Sequence, residues 1–284
     1  MKRKSAALLI ILLPVVAANA QAKKSDRECS GLIGQIRTVT EKTFRLSNSF
    51  GKSAEHAPAY FSVTEYDARG NITSRTNYKA DGSIASRHVI IRDDKGNVAE
   101  VAVYDSGGSV MHKYVYKYDD KDRRTEWATL NPDGSVSDRY VSSYDERGNL
   151  VEEIVYITDG SVHTRSVYSY DDRGKMTAGT TYDAQDIIIG KAFYFYDKDG
   201  NKTEQAFYDG NGSPAVKMLI KHGEASEETH FEPKDGSIRY RLVYAYEADA
   251  AGNWIKRTTF KAYTKLGKSY FEPIEVTHRT FTYY

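Results

Sequence analysis

From about Tyr60 to Tyr284 apolar and polar residues alternate with the two-residue period of a half-buried strand, and helical periodicity is absent. Two kinds of turn signal interrupt this alternation at regular places. Tyr-Asp-x-x-Gly recurs at Tyr66, Tyr144, Tyr170 and Tyr196; Tyr118-Asp119 has Asp122 in place of the glycine, and Arg92-Asp93 fills the slot between Tyr66 and Tyr118. These positions are each 26 residues apart; His222 stands at the next step, and Tyr246 follows after a two-residue deletion. A second signal falls between them, as in Asp81-Gly82-Ser83, Asp133-Gly134-Ser135 and Asp159-Gly160-Ser161. Self-similarity at a fixed period marks a repeat architecture, here of about eight units.

Each unit reads as strand, turn, strand, turn. In Asn131-Pro132-Asp133-Gly134 the proline suits the second position of a type I turn, and the glycine then takes the left-handed conformation of a G1 bulge. Asp145-Glu146-Arg147-Gly148 has the same form, so Gly148 and Gly160 are expected at positive φ. If each loop holds three residues, odd and even numbering is preserved from strand to strand and all even residues share a face. All 19 tyrosines from Tyr60 to Tyr246 are even-numbered, as are Ile84, Val110, Val136, Val162 and Ile188. The odd face carries Val89, Val115, Val141, Val167, Phe193, Leu219 and Val243. The predicted fold is therefore all-β: tandem 26-residue β-hairpin repeats in one long, twisted and coiled antiparallel sheet, with the tyrosines on the inner, concave face.

The organisation expected is a signal peptide over 1–20, an N-terminal capping segment over 21–59, repeats over 60–260 and C-terminal capping strands over 261–284. Ile36 to Phe44 alternates like a strand, and Ser25-Asp-Arg-Glu28 suits the cap of a short helix. Phe271-Glu-Pro273 interrupts the pattern before a last strand, Glu275 to Tyr284. Met1-Lys2-Arg3-Lys4, an apolar run from Ala6 to Ala18 and Ala18-Asn19-Ala20 together read as a secretory signal, cleaved after Ala20 or Ala22. A periplasmic or secreted protein with no transmembrane span after cleavage follows. Cys29 lies after Asp26-Arg27-Glu28, which lacks the small, apolar residues of a lipoprotein signal, and one cysteine makes no internal disulfide.

Composition narrows the function. Without the three signal-segment cations the chain holds 37 basic and 39 acidic residues, which is no footprint for nucleic acid. With 23 tyrosines the chain is tyrosine-rich, and its core must be built from Tyr and β-branched residues.

The repeated Tyr-Asp-x-x-Gly-Asn resembles the YD/RHS-repeat family, over roughly residues 60–260. The tail from Gly252-Asn253-Trp254 to Tyr284 is similar to the close of small exported members. The resemblance implies coiled β-sheets in secreted and surface proteins, and an association with carbohydrate binding. Large members wrap a toxin or act in cell adhesion; this chain has too few repeats to enclose another domain and no effector region after them.

Motifs for chemistry are wanting. Asp197-Lys198-Asp199-Gly200-Asn201 resembles the start of a calcium loop, but position 12 is Tyr208, not a bidentate glutamate, so turn chemistry is the expected role of these residues. The seven histidines have no ligand spacing, Glu152 and Glu153 point to opposite faces, and no nucleophile, P-loop or dinucleotide fingerprint is present. No enzyme activity, metal or cofactor is expected. One column stands out: the residue five before each repeat tyrosine is basic in seven consecutive units, Arg87, Lys113, Arg139, Arg165, Lys191, Lys217 and Arg241, all on the face opposite the tyrosines. A solvated stripe that resists aggregation is its expected role, and an anion-binding track the alternative. Tyr118, Tyr144, Tyr170 and Tyr196 are expected to fill the core, with sugar stacking as their alternative. The function expected is a non-enzymatic β-repeat module of the cell envelope or secreted space, binding a glycan or an envelope protein, the alternative being a purely structural or protein-interaction scaffold.

Overall fold

The structure, a computed structural model, describes residues 24–49, 52–265 and 268–284; the expected signal peptide lies outside the described residues. Among the described residues a single helical turn, α1 (Asp26–Cys29), precedes eighteen strands. The first six are β1 (Ile36–Ser49), β2 (Lys52–Tyr66), β3 (Ile72–Tyr78), β4 (Ile84–Arg92), β5 (Val98–Tyr104) and β6 (Val110–Tyr118). Then come β7 (Arg124–Leu130), β8 (Val136–Tyr144), β9 (Leu150–Ile157), β10 (Val162–Tyr170), β11 (Met176–Asp183) and β12 (Ile188–Tyr196). The last six are β13 (Lys202–Asp209), β14 (Pro214–Lys221), β15 (Glu224–Phe231), β16 (Ile238–Ala248), β17 (Trp254–Lys265) and β18 (Lys268–Tyr283). Every strand pairs antiparallel with its sequence neighbours, and β1 also pairs with β18 from Ile36↔Tyr283 to Arg45↔Glu275. The coiled sheet is thus a closed up-and-down ring, and the segments expected as caps supply strands that close it. Eighteen strands make a ring too wide for its own side chains to fill, so the inner wall surrounds a lumen.

The repeat motif has a physical meaning at each letter. The Asp145 backbone N–H donates to the Asn149 carbonyl (2.9 Å) and the Gly148 N–H to the Asp145 carbonyl (3.0 Å), a type I turn closed by a G1 bulge. Gly148 and Gly160 hold φ of 87° and 81°, as the turn chemistry requires. Asp122 and Asp186 take the same left-handed position at 58° and 57° where the motif lacks glycine. The Asp145 carboxylate accepts from the Asn149 N–H (2.7 Å) and side-chain amide (2.9 Å), which clasps the loop from inside. Finally the tyrosine hydroxyl donates to a carbonyl of the preceding unit: Tyr118 to Val98, Tyr144 to Arg124, Tyr170 to Leu150 and Tyr196 to Met176, at 2.7–2.9 Å.

The parity expectation needs correction. Tyr144 pairs with Leu150, but Ser143 pairs with Glu152, so one extra residue enters each strand just past the turn. The same shift recurs at both ends of the units, for example at Leu130↔Val136. A bulge reverses which parity faces inward for the body of the next strand. Tyr114, Tyr116, Tyr140, Tyr168 and Tyr194 therefore line the inner wall, with Tyr168 only 7% exposed. Tyr104, Tyr156, Tyr182 and Tyr208 instead stand on the outer wall, paired with Arg87, Arg139, Arg165 and Lys191. Ile84, Val136 and Val162 are likewise on the outside and exposed. The extra residue carries a signature: Thr73, Thr125, Thr177 and Thr203 occupy it, each hydroxyl donating to a carbonyl of the preceding strand at 3.3–3.4 Å.

Two local departures have simple causes. The two-residue deletion replaces a five-residue link by a tight turn, with His222 at φ 51° and Gly223 at φ 82°, the signs a type I′ hairpin demands. Pro273 does not separate strands: it sits where the register steps from Thr259↔Glu275 to Phe260↔Pro273, a bulge inside the continuous β18, which tolerates its missing N–H.

The turn carboxylates generate a pH prediction. Hydrogen bonds from Ser135 hold the Asp133 carboxyl below the usual carboxylate range, and Ser161 does the same for Asp159. A group whose folded pKa is depressed adds stability that is present above its unfolded pKa and lost as pH falls through the folded one. Thermal melts from pH 6 to pH 2 should therefore show Tm falling below about pH 4, and Asp133→Asn/Asp159→Asn, which lacks the ionised form, should lower Tm at pH 6 toward the parent's acid value and flatten that fall. The inter-unit bond makes a second: Tyr170→Phe should cost about 1 kcal/mol in urea unfolding, the usual net worth of a hydrogen bond.

Candidate functional site

The expected stripe and the expected aromatic face occupy opposite walls at Tyr118, Tyr144, Tyr170 and Tyr196. All seven basic residues stand on the outer wall, where the alternation of the long strands directs odd-numbered side chains. Five meet a carboxylate of the adjoining strand: Lys113–Glu100 (3.1 Å), Arg139–Glu126 (3.2 Å), Arg165–Glu152 (3.5 Å), Lys217–Glu204 (2.8 Å) and Arg241–Glu227 (3.7 Å). Arg139 and Arg165 also lie over the Tyr156 and Tyr182 rings, at 4.5 Å each. At the corresponding places beside Arg87 and Lys191 stand Ser74 and Ala178, and among the described residues these two cations have no ion pair. The stripe is thus largely balanced by a second, acidic stripe. Lipid facing this wall would bury a row of charges at about 2–4 kcal/mol for each Lys or Arg near mid-membrane, so the wall faces water. No helix among the described residues is long and apolar enough to cross a membrane.

The four repeat tyrosines are half-buried, with their hydroxyls committed to backbone carbonyls; burial raises all four phenols, Tyr170 to about 12. They join units and offer no free hydroxyl row. Beside them four inner-wall aromatics, Tyr114, Tyr116, Trp127 and Tyr140, meet across strands, with Trp127 on Tyr140 at 3.5 Å between ring centroids.

The side chains that do converge were not singled out by the repeat. Ser25 and Glu28 form the expected capping box on α1, which sets the segment across the ring at its Tyr-Asp turn end. The Arg27 N–H donates to the Gly70 carbonyl (2.9 Å), and the Ile72 N–H donates to the Asp26 carboxylate (2.7 Å). The Asn253 side chain exchanges two hydrogen bonds with the Ile33 backbone, at 2.7 and 3.0 Å. Gly70 is needed here, because a Cβ would lie 2.8 Å from Ser25 Oγ.

Beneath this segment lies a cavity of about 470 Å³ on the inner wall. Leu32, Val39, Ile72, Ile90, Val98 and Val101 give it an apolar floor, and Tyr66, Asp26, Glu41, Arg75, His88, Arg92 and Arg279 converge on it. Glu41 is shared by Arg279 (2.8 Å) and Arg75 (3.7 Å); Arg75 also donates to the Tyr60 hydroxyl (2.7 Å). Arg92 pairs with Asp26 and donates to the Gly96 carbonyl (3.0 Å), while its buried Nε has no hydrogen-bond partner. Three guanidinium groups face two carboxylates. Burial, then Arg75 and His112, depress the His88 pKa, so this imidazole is neutral at pH 7. Burial raises the Tyr66 phenol. The set can bind and orient an anionic, hydroxyl-bearing ligand. Among the described residues no group of acidic, His and Cys side chains could hold a metal ion.

Farther round the wall, Glu153 faces Arg124 at 4.0 Å, and burial pushes its carboxyl above the usual range. Glu152, its sequence neighbour, is on the outer wall against Arg165, so the two carboxylates are indeed on opposite faces. The signal for these inner residues is parity read after the bulge, which places odd-numbered Arg75 and even-numbered His88 on one wall.

A family model described only as "Uncharacterised protein" matches residues 87–222, somewhat less than half the chain. No curated protein matches. Similar solved structures include a porin-like protein from Bacteroides uniformis, at 11% identity and TM-score 0.46, covering 87% of this chain and 96% of that one. A porin-like protein from Bacteroides vulgatus is 13% identical at TM-score 0.35, covering 88% and 98%. A TcdB2–TccC3–Cdc42 complex is 13% identical at TM-score 0.31, covering 86% of this chain and 17% of that one. Likeness at these scores adds no argument about what this chain does.

The balance of the outer wall predicts small effects there. Arg139→Gln and Arg165→Gln should each change unfolding free energy by at most about 1 kcal/mol, as exposed ion pairs do. Urea denaturation of each variant measures this; a loss several times larger would mean that the ladder holds the wall together.

Proposed function

We propose that the protein is a non-enzymatic, exported binding module that takes a small acidic saccharide in the cavity beneath the N-terminal segment. The observation that carries this reading is the buried Arg92 Nε without an acceptor, in a cavity where guanidinium groups outnumber carboxylates. A carboxylate on the ligand supplies the missing acceptor and balances the charge, and its hydroxyls alternate between the donors of Arg75 and the acceptors Glu41 and Asp26. Size and lining are those of small-ligand sites, mostly apolar with a few convergent polar groups. A water-facing outer wall and the basic, apolar and small-residue order of the first twenty residues support export to the periplasm or beyond. Carboxylates shared between arginines, and a histidine held neutral, are suited to recognition, and the reading assigns no reaction to them.

The test is calorimetric titration of the mature protein with glucuronate- and galacturonate-containing oligosaccharides, against their neutral counterparts, at two salt concentrations. Acidic sugars should bind, more weakly at higher salt, and Arg75→Gln should lower affinity about tenfold, the loss of about 1.4 kcal/mol. Equal binding of neutral sugars, or none of either class, would overturn the reading and favour a scaffold.

A further inference from the structure

The repeats provide their own reference: a position that breaks the pattern of its sister units in one unit alone is a departure the fold does not require. The outer wall of β12 contains such a break. Ile189 replaces Ala85, Met111, Ser137 and His163, and Phe195 replaces Lys117, Ser143 and Ser169 in three of the four. Phe193 takes the place of the valine column, and Lys191 in the middle is a cation of the ladder without a carboxylate, because Ala178 stands where Glu152 and Glu126 stand in earlier units. These apolar side chains are exposed, Ile189 at 46% and Phe195 at 49%.

We propose that this face of β12 is the docking surface for a partner protein segment that presents apolar side chains around a central carboxylate. Three features select this occupant. The ridge runs along β12 between the small residues Ala178 and Thr180 on β11 and Ala206 on β13, with Tyr208 of β13 set edge-on against Phe193 at 5.6 Å between ring centroids, and this relief fits the side chains of an opposing strand or helix better than a flat lipid surface. Its exposed apolar area is on the order of a few hundred Å², well short of the roughly 800 Å² per partner of a stable protein dimer. A second copy centred on the ridge by two-fold symmetry would also bring Lys191 against Lys191. The unpaired Lys191 instead calls for an acid at the centre of the partner segment.

Substitution toward the sister units tests this with little risk to the fold. A phage-displayed peptide library is selected on the mature protein and on Ile189→Ser/Phe195→Ser. Peptides enriched on the parent should carry aliphatic or aromatic residues around Asp or Glu, and synthetic copies should lose at least tenfold in affinity on the variant. Lys191→Glu should turn the selection toward Lys- or Arg-containing peptides; this single variant decides the question if the double one fails to fold. Peptides that do not distinguish parent from variants would overturn the proposal. So would binding to phosphatidylglycerol vesicles, or self-association in sedimentation velocity, that the same substitutions abolish; these would assign the face to lipid or to a second copy.

Discussion

Everything in this ring is referred to one recurring clasp. An aspartate ties its own turn through backbone N–H groups, an asparagine closes the turn, and a tyrosine reaches back to a carbonyl of the preceding unit. Each clasp fixes the relative position of two hairpins, and its repetition at constant spacing gives constant curvature. The wall thus has no thick apolar core: few residues are fully buried, and those near Ile36, Val39 and Tyr66 form a small cluster where β1 meets β18 and the N-terminal segment. Local turn energy and cross-strand pairing replace the deep burial on which most domains of this length depend.

Closure of the ring divides the side chains into two chemically different populations. The outer wall is a lattice of Lys or Arg against Glu, with tyrosine rings beneath some of the guanidinium groups. Such pairs contribute little individually, but they keep a wide sheet surface wetted and unattractive to other sheets. The inner wall holds the tyrosine ladder, stacked aromatics and buried ions. Its cavity exists because the strands at the two ends of the described chain, β1 and β18, meet there and the α1 segment lies across the seam. Glu41 on β1 and Arg279 on β18 are 238 residues apart and 2.8 Å from each other.

The repeat also separates what the fold demands from what one unit has added. Positions shared by all units answer to the turns and the pairing. Ile189 and Phe195 answer to neither, since Ser137 and Ser143 occupy their places in a sister unit of the same geometry.

Much of this was legible in the sequence because its causes are local. The 26-residue period, the type I turns, the positive φ of Gly148 and Gly160 and the capping box at Ser25 depend on residues a few positions apart. In four units the bulge was also written locally, in Thr73, Thr125, Thr177 and Thr203, but period-two alternation read without it sends Tyr156 and Val136 to the wrong wall. The partners of the basic stripe follow from register, which a bulge alters by one residue and so from face to face. Closure could not be read at all: a run of hairpins specifies each neighbour pairing, but whether β1 meets β18 depends on twist and curvature summed over eighteen strands. The cavity inherits that dependence, because Arg279 of β18 joins Arg75, Arg92, Glu41 and Asp26 only once the ring is closed. Short-range chemistry determined the unit, and accumulated geometry decided the site.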